Sequence, residues 1–122
     1  MMAKDLNISF LLDFYGDMLT QKQQDMIKFY YNDDLSLSEI AENEGITRQG
    51  VRDNIKRAEG QLLEMEARLG LADRFVKVKN GLEKIVELSV DINAFNMAHG
   101  FSREIDERAR QISGIAAALK ED

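Results

Sequence analysis

The chain has 122 residues, 44% of them hydrophobic and 31% charged, with no proline, no cysteine and a formal net charge of −6. That length suits one domain, or one domain with an appendage, and the lack of cysteine excludes disulfides and thiolate metal sites. The acidic balance excludes a broadly basic nucleic-acid-binding surface, and no apolar stretch approaches the roughly 20 residues that a membrane span needs. The N-terminus shows no basic segment followed by a long apolar run, so no secretory signal is expected. A cytoplasmic protein is the expectation.

Helix formers recur throughout, and without proline nothing forbids long helices. Residues from about Asp5 to Tyr15 predict a short amphipathic helix, with Leu6, Phe10, Leu11 and Phe14 on one stripe. Thr20 and Gln23 form a capping box for a second helix, whose buried side is Met26, Ile27, Tyr30 and Tyr31. The polar run Asn32-Asp33-Asp34 ends it. A second capping box, Ser36 with Glu39, opens a third helix over roughly Leu37 to Asn43. Gly45 supplies a left-handed turn, Ile46 fills the corner, and Thr47 caps a fourth helix from about Arg48 to Arg68. Val51, Ile55, Ala58 and Leu62 share one face of it at helical spacing. Gly60 lies inside this helix and costs up to about 1 kcal/mol relative to Ala. Gly70 then offers a C-terminal stop.

Beyond Gly70, Phe75, Val78, Leu82, Ile85 and Ile92 recur at heptad spacing, with Ser89 in the intermediate position. The apolar phase runs unbroken across Asn80-Gly81, which predicts one continuous helix. Leu88 and Phe95 broaden its stripe. Gly100 ends the helix, Ser102 caps the next, and Ile105, Ala109, Ile112, Ile115, Ala116 and Leu119 line the last one. So short a link makes the final two helices antiparallel neighbours. A two-helix hairpin buries little alone, so its stripe needs a partner, either the first domain or a second subunit. The reading favours a homodimer through Phe75, Val78, Leu82, Ile85 and Ile92. Phe10, Phe14, Tyr30, Tyr31 and Phe75 are most simply core. The expected architecture is all-α, a helix-turn-helix domain over residues 1–70 followed by an amphipathic C-terminal helical hairpin over 71–122.

The stretch LSLSEIAENEGITRQGVRDNIKRA, Leu35 to Ala58, carries the chemistry. Two short helices joined by a tight turn, with cations on the second, is the pattern of a helix-turn-helix, whose second helix enters a groove of nucleic acid. The candidate contact residues are Arg48, Gln49, Arg52, Lys56 and Arg57. Arg52 and Lys56 would reach phosphates or base edges, and Gln49 an adenine edge. Asp53 would accept a hydrogen bond or be paired by Arg57 at i+4. Gly50 either permits close approach to a backbone or is a tolerated poor helix former. Between Lys28 and Arg48 there is no cation, but there are Asp33, Asp34, Glu39, Glu42 and Glu44. Five carboxylates on or beside the first helix would repel a phosphate backbone unless they face elsewhere. His99 is the single histidine, so no metal site is expected, and the acid pairs lack calcium-loop spacing. With no phosphate loop, no nucleophile triad and no dinucleotide fingerprint, no catalytic residue and no cofactor is expected.

The helix-turn-helix stretch resembles region 4 of the sigma factors. FYGDMLTQKQQ, FYYNDDLSLSEIAE and ITRQGVRDNIKRAE extend the likeness, and nearly the whole chain is similar to the YlxM family, small bacterial proteins associated with the signal recognition particle. The resemblance implies an all-helical fold of the sigma region 4-like, winged-helix-like DNA-binding superfamily. It also implies a non-enzymatic accessory role in protein targeting, with the particle's RNA or its GTPase subunit as partner. A transcription regulator reading duplex DNA is the alternative. A dimer of that kind would place two recognition helices about 34 Å apart.

Overall fold

Local capping sets the helix boundaries. In the computed structural model, which describes Lys4, Asp5 and residues 7–121, six α-helices follow one another: α1 Asn7–Tyr15, α2 Gln21–Tyr31, α3 Leu37–Glu44, α4 Arg48–Leu69, α5 Leu71–Ala98 and α6 Arg103–Glu121. A 3-10 turn, Gly16–Met18, follows α1. No strand occurs among the described residues, and the protein is all-α. Both predicted capping boxes are present: Thr20 with Gln23, and Ser36 with Glu39. Gly45 and Gly70 end α3 and α4 in the left-handed region, at φ 68° and 63°, where a Cβ would be strained. α1 starts later than its sequence pattern predicts. The Asp5 carbonyl accepts from the Ile8 N–H at 2.9 Å and its carboxylate from the Asn7 N–H at 3.0 Å, so Asp5 precedes the helix. Leu6, the first residue of the predicted stripe, lies outside the described residues.

The chain divides into two compact units, Met1–Asp73 and Arg74–Asp122. In the first, α1, α2 and α3 all pack on α4. Ile8, Leu11, Tyr15, Met26, Ile27, Ile40, Val51, Ile55 and Leu62 are fully buried there. The buried face of α1 is Ile8, Leu11, Leu12 and Tyr15, turned from the predicted stripe. Phe10 and Phe14 are only partly buried and meet edge to face at 5.1 Å. The reason is polar. The Tyr15 hydroxyl donates to Glu66 Oε1 at 2.6 Å and accepts from the Leu71 N–H at 3.0 Å. Glu66 also accepts from the N–H groups of Ala72 and Asp73, each at 3.0 Å. Tyr15 and Glu66 together satisfy the first free N–H groups of α5, which a helix start always presents. The unit boundary therefore falls inside α5, just past the Gly70 stop. Phe75 lies beyond it and is exposed, not core.

The second unit is a helical hairpin. Asn96 of α5 and Ser102 before α6 exchange two bonds of 2.8 Å, Asn96 Nδ2 donating to the Ser102 carbonyl and Asn96 Oδ1 accepting from the Ser102 N–H. Further along, Asn93 hydrogen-bonds Asp106, and Lys120 lies 4.0 Å from Glu83. Contacts whose numbers fall on α5 while they rise on α6 make the helices antiparallel. α5 is unbroken through Asn80-Gly81. The buried positions between the helices are small or polar: Ser89, Asn96, Ala109 and Ala116.

Candidate nucleic-acid interface

The turn between α3 and α4 is three residues long, Gly45-Ile46-Thr47, and each has a task. Gly45 turns the chain, Ile46 packs against the core, and the Thr47 hydroxyl accepts from the Gly50 N–H at 3.0 Å. A Cβ on Gly50 would stand 3.2 Å from Thr47 Oγ1 and 3.6 Å from Ile46 Cδ1. Gly50 is thus explained by the cap itself.

α4 buries Val51, Ile55, Ala58 and Leu62 and presents two rows at four-residue spacing to solvent. One row is Arg48, Arg52 and Lys56. The other is Gln49, Asp53 and Arg57. All six side chains are exposed, so the five predicted contact residues do share one outer surface. Their pairing differs from expectation. Asp53 is held by Gln49, whose amide donates to its carboxylate at 2.9 Å, not by Arg57. A Gln49 that reads a base edge must first leave Asp53. None of Arg48, Arg52, Lys56 and Arg57 is in an ion pair among the described residues.

The acid cluster before the turn is partly neutralised from within. Asp34, in the left-handed region at φ 59°, pairs with Lys4 at 2.6 Å. The Lys4 contact holds its carboxyl below the usual carboxylate range. Glu39 accepts from the Ser36 N–H at 3.0 Å, which likewise pulls its carboxyl down. Both have an internal partner and stay exposed. The S-x-x-E spacing already contained the Glu39 part of this; the Lys4–Asp34 pair spans thirty positions and left no mark in the sequence pattern. Residues 1–73 carry eight Lys and Arg against fourteen Asp and Glu, so the Arg48–Arg52–Lys56 row is a local cationic strip on an acidic unit.

Of the predicted dimer residues, Phe75, Val78, Ile85 and Ile92 are exposed, and Leu82 is half-buried on the row that continues through Ser89 and Asn96 toward α6. His99 stacks on Phe95 at 3.9 Å and its Nδ1 meets the Phe95 carbonyl at 2.9 Å. No helix among the described residues is long and apolar enough to cross a membrane.

An all-helical domain with a capped, glycine-turned pair α3–α4 and an exposed second helix defines a helix-turn-helix protein. Residues 2–98 match the UPF0122 family, described as "Putative helix-turn-helix protein, YlxM / p13 like". A UPF0122 protein of Acetivibrio thermocellus is 41% identical over 114 residues, 91% of this chain and 97% of that protein. UPF0122 proteins of Desulforamulus reducens, 46% identical over 81 residues, and Halalkalibacterium halodurans, 45% over 87, are matched across 66% and 71% of this chain and 69% and 80% of their own. The chain belongs to the UPF0122, YlxM-like family.

Proposed function

We propose that this protein is a non-enzymatic, cytoplasmic accessory protein of the signal recognition particle pathway that contacts the particle's RNA through α4. The carrying observation is the Arg48–Arg52–Lys56 row, exposed and without an ion pair among the described residues, on a helix whose opposite face is fully buried. Such a row fits a phosphate backbone, and the buried face positions it without further ordering cost. The acidic surroundings favour a short, shape-selected contact over extended duplex binding, because each neutralised phosphate contributes its own counterion-release increment. The Lys4–Asp34 pair offsets one of the negative charges that precede the turn. The likeness to the YlxM family is what supports the pathway part of this reading.

An anisotropy titration at two salt concentrations tests this, comparing signal recognition particle RNA, an unrelated structured RNA and random duplex DNA. Preferential, salt-sensitive binding of the particle's RNA is expected. Arg52→Ala with Lys56→Ala should weaken it and make the salt slope shallower by about two, one for each lost phosphate contact, with thermal unfolding nearly unchanged. Equal binding by the double variant overturns the role of the row. Preference for duplex DNA moves the protein to transcription regulation, and failure to bind any of the three directs the titration to the particle's GTPase subunit.

A further inference from the structure

The hairpin of α5 and α6 is packed inside out. Where the helices meet, Ser89, Asn96, Ala109 and Ala116 are buried. On α5, Ile85, Leu88, Ile92 and Phe95 each stand one residue before a buried or half-buried seam position, Val86, Ser89, Asn93 and Asn96. On α6 the corresponding row is Ile105, Ile112, Ile115 and Leu119. All eight are 42–65% exposed. In an antiparallel pair related by its own local two-fold, positions displaced the same way from the seam fall on the same side. The two rows therefore form one apolar face, roughly a quarter turn from the seam. A groove lined by Ile92, Phe95, His99 and Ile105 joins them. The charged position in the α6 row is Arg108, whose guanidinium bonds back to the Glu104 carbonyl at 3.1 Å.

We infer that this face docks a second copy of the chain, face on face, so that two hairpins close a four-helix bundle. A quarter turn between seam and apolar face is the relation each helix of such a bundle needs, since it has one neighbour within its hairpin and one across the layer. The area is sufficient. Each of these eight, and Val78 and Phe101 at the ends, is about half exposed, so covering all ten removes on the order of 800 Å² per copy. That is the share of each partner in a stable interface of ordinary size. Charge permits it as well. Residues 74–122 hold eight Lys and Arg and eight Asp and Glu, so two copies meet without net repulsion. The same neutrality gives an anionic lipid surface nothing to attract, although an exposed apolar face of this size always demands a cover. A C2 interface is self-complementary by construction, and the two rows supply the same residue types to each other. The bundle is independent of the nucleic-acid reading.

Sedimentation equilibrium on the full chain tests it. The wild type should weigh twice the 13.9 kDa chain mass at micromolar concentration. Ile92→Glu with Ile112→Glu should be monomeric with helical circular dichroism retained. Val90→Glu, exposed on the opposite side of α5, should stay dimeric. If the double Glu variant loses helicity, Ile92→Ala with Ile112→Ala is compared instead, and a dimer Kd raised at least about tenfold supports the interface, while an unchanged Kd overturns it. A monomeric wild type overturns the inference, whether the chain then proves to float with neutral lipid vesicles or not. So does a dimer that survives Ile92→Glu with Ile112→Glu.

Discussion

The helix-turn-helix unit and the hairpin use one amphipathic code to opposite effect. In the first, three helices bring their apolar faces to α4, and nine large side chains are fully buried. In the second, two helices form a hairpin. They bury serine, asparagine and alanine and leave isoleucine, leucine and phenylalanine outside. Periodicity states that a helix has an apolar face. It does not state what covers that face; the number and direction of the neighbouring helices do.

The sharpest way to break this comparison is to cut the same kind of side chain in both units. Ile55 is fully buried on α4, and Ile115 is 64% exposed on α6. Ile55→Ala should cost about 2–5 kcal/mol, the usual range for a buried isoleucine or leucine, read as a lower urea midpoint. Ile115→Ala should leave the urea midpoint of the monomer nearly unchanged and act on self-association. Equal losses for the two at low protein concentration would mean that the hairpin face is already covered within the chain.

Next in size is the pin that closes the hairpin. Asn96 is 5% exposed and answers both backbone groups of Ser102. Asn96→Ala strands those groups and should cost about 1–3 kcal/mol, confined to the hairpin. Hydrogen exchange should accelerate around residues 96–106 while the amides of α1 to α4 keep their protection. Uniform acceleration would show that the units unfold as one.

Acid tests the cap that Tyr15 and Glu66 place on the start of α5. In the helix-turn-helix unit, the Tyr15 O–H, and after it the Ala72 and Asp73 N–H groups, hold the Glu66 carboxyl below the usual carboxylate range. A carboxylate depressed in the folded state contributes stability that is complete above the unfolded value and is lost as pH falls through the folded one. Stability should therefore begin to fall as pH drops below about 4.5. Glu66→Gln should start less stable at neutral pH and decline less steeply, as followed by thermal unfolding across that range. Parallel curves for variant and wild type would remove Glu66 from the account.

Much of this fold was legible in advance, and the gaps have physical reasons. Helix order, both capping boxes, the Gly45 turn and the continuity of α5 are local, and local chemistry is written in short spacings. The buried face of α1 is tied to Tyr15, whose hydroxyl reaches Glu66 fifty-one positions away, a contact that no short spacing records. The cationic row was legible as spacing, but the Gln49–Asp53 bond is a choice among rotamers that spacing leaves open. The heptad spacing of α5 predicts one seam. Its phase splits into Leu82 and Ser89 toward α6 and Ile85 and Ile92 on the flank, a distinction that exists only once α6 is in place.

The smallest expected effect concerns glycine, and it separates a residue the fold requires from one it tolerates. Gly60 sits in the middle of α4, exposed, and a Cβ there meets nothing within 4 Å. Its backbone is ordinary helix, so it contributes only flexibility to the unfolded chain. Gly60→Ala should stabilise the helix-turn-helix unit by about 0.5–1 kcal/mol, a rise in Tm of a few degrees in a domain of this size. Gly45 also has open space around its missing Cβ, but its φ is 68°. Gly45→Ala should therefore lose about 1–2 kcal/mol, although a view of the empty space alone would predict no cost. Gly81, in α5, has the open surroundings and helical backbone of Gly60. Gly81→Ala should stabilise the hairpin comparably, read as slower hydrogen exchange of the α5 amides around it. Gains at Gly60 and Gly81 beside a loss at Gly45 would show that backbone conformation, and not the space around the missing Cβ, decides the sign in both units.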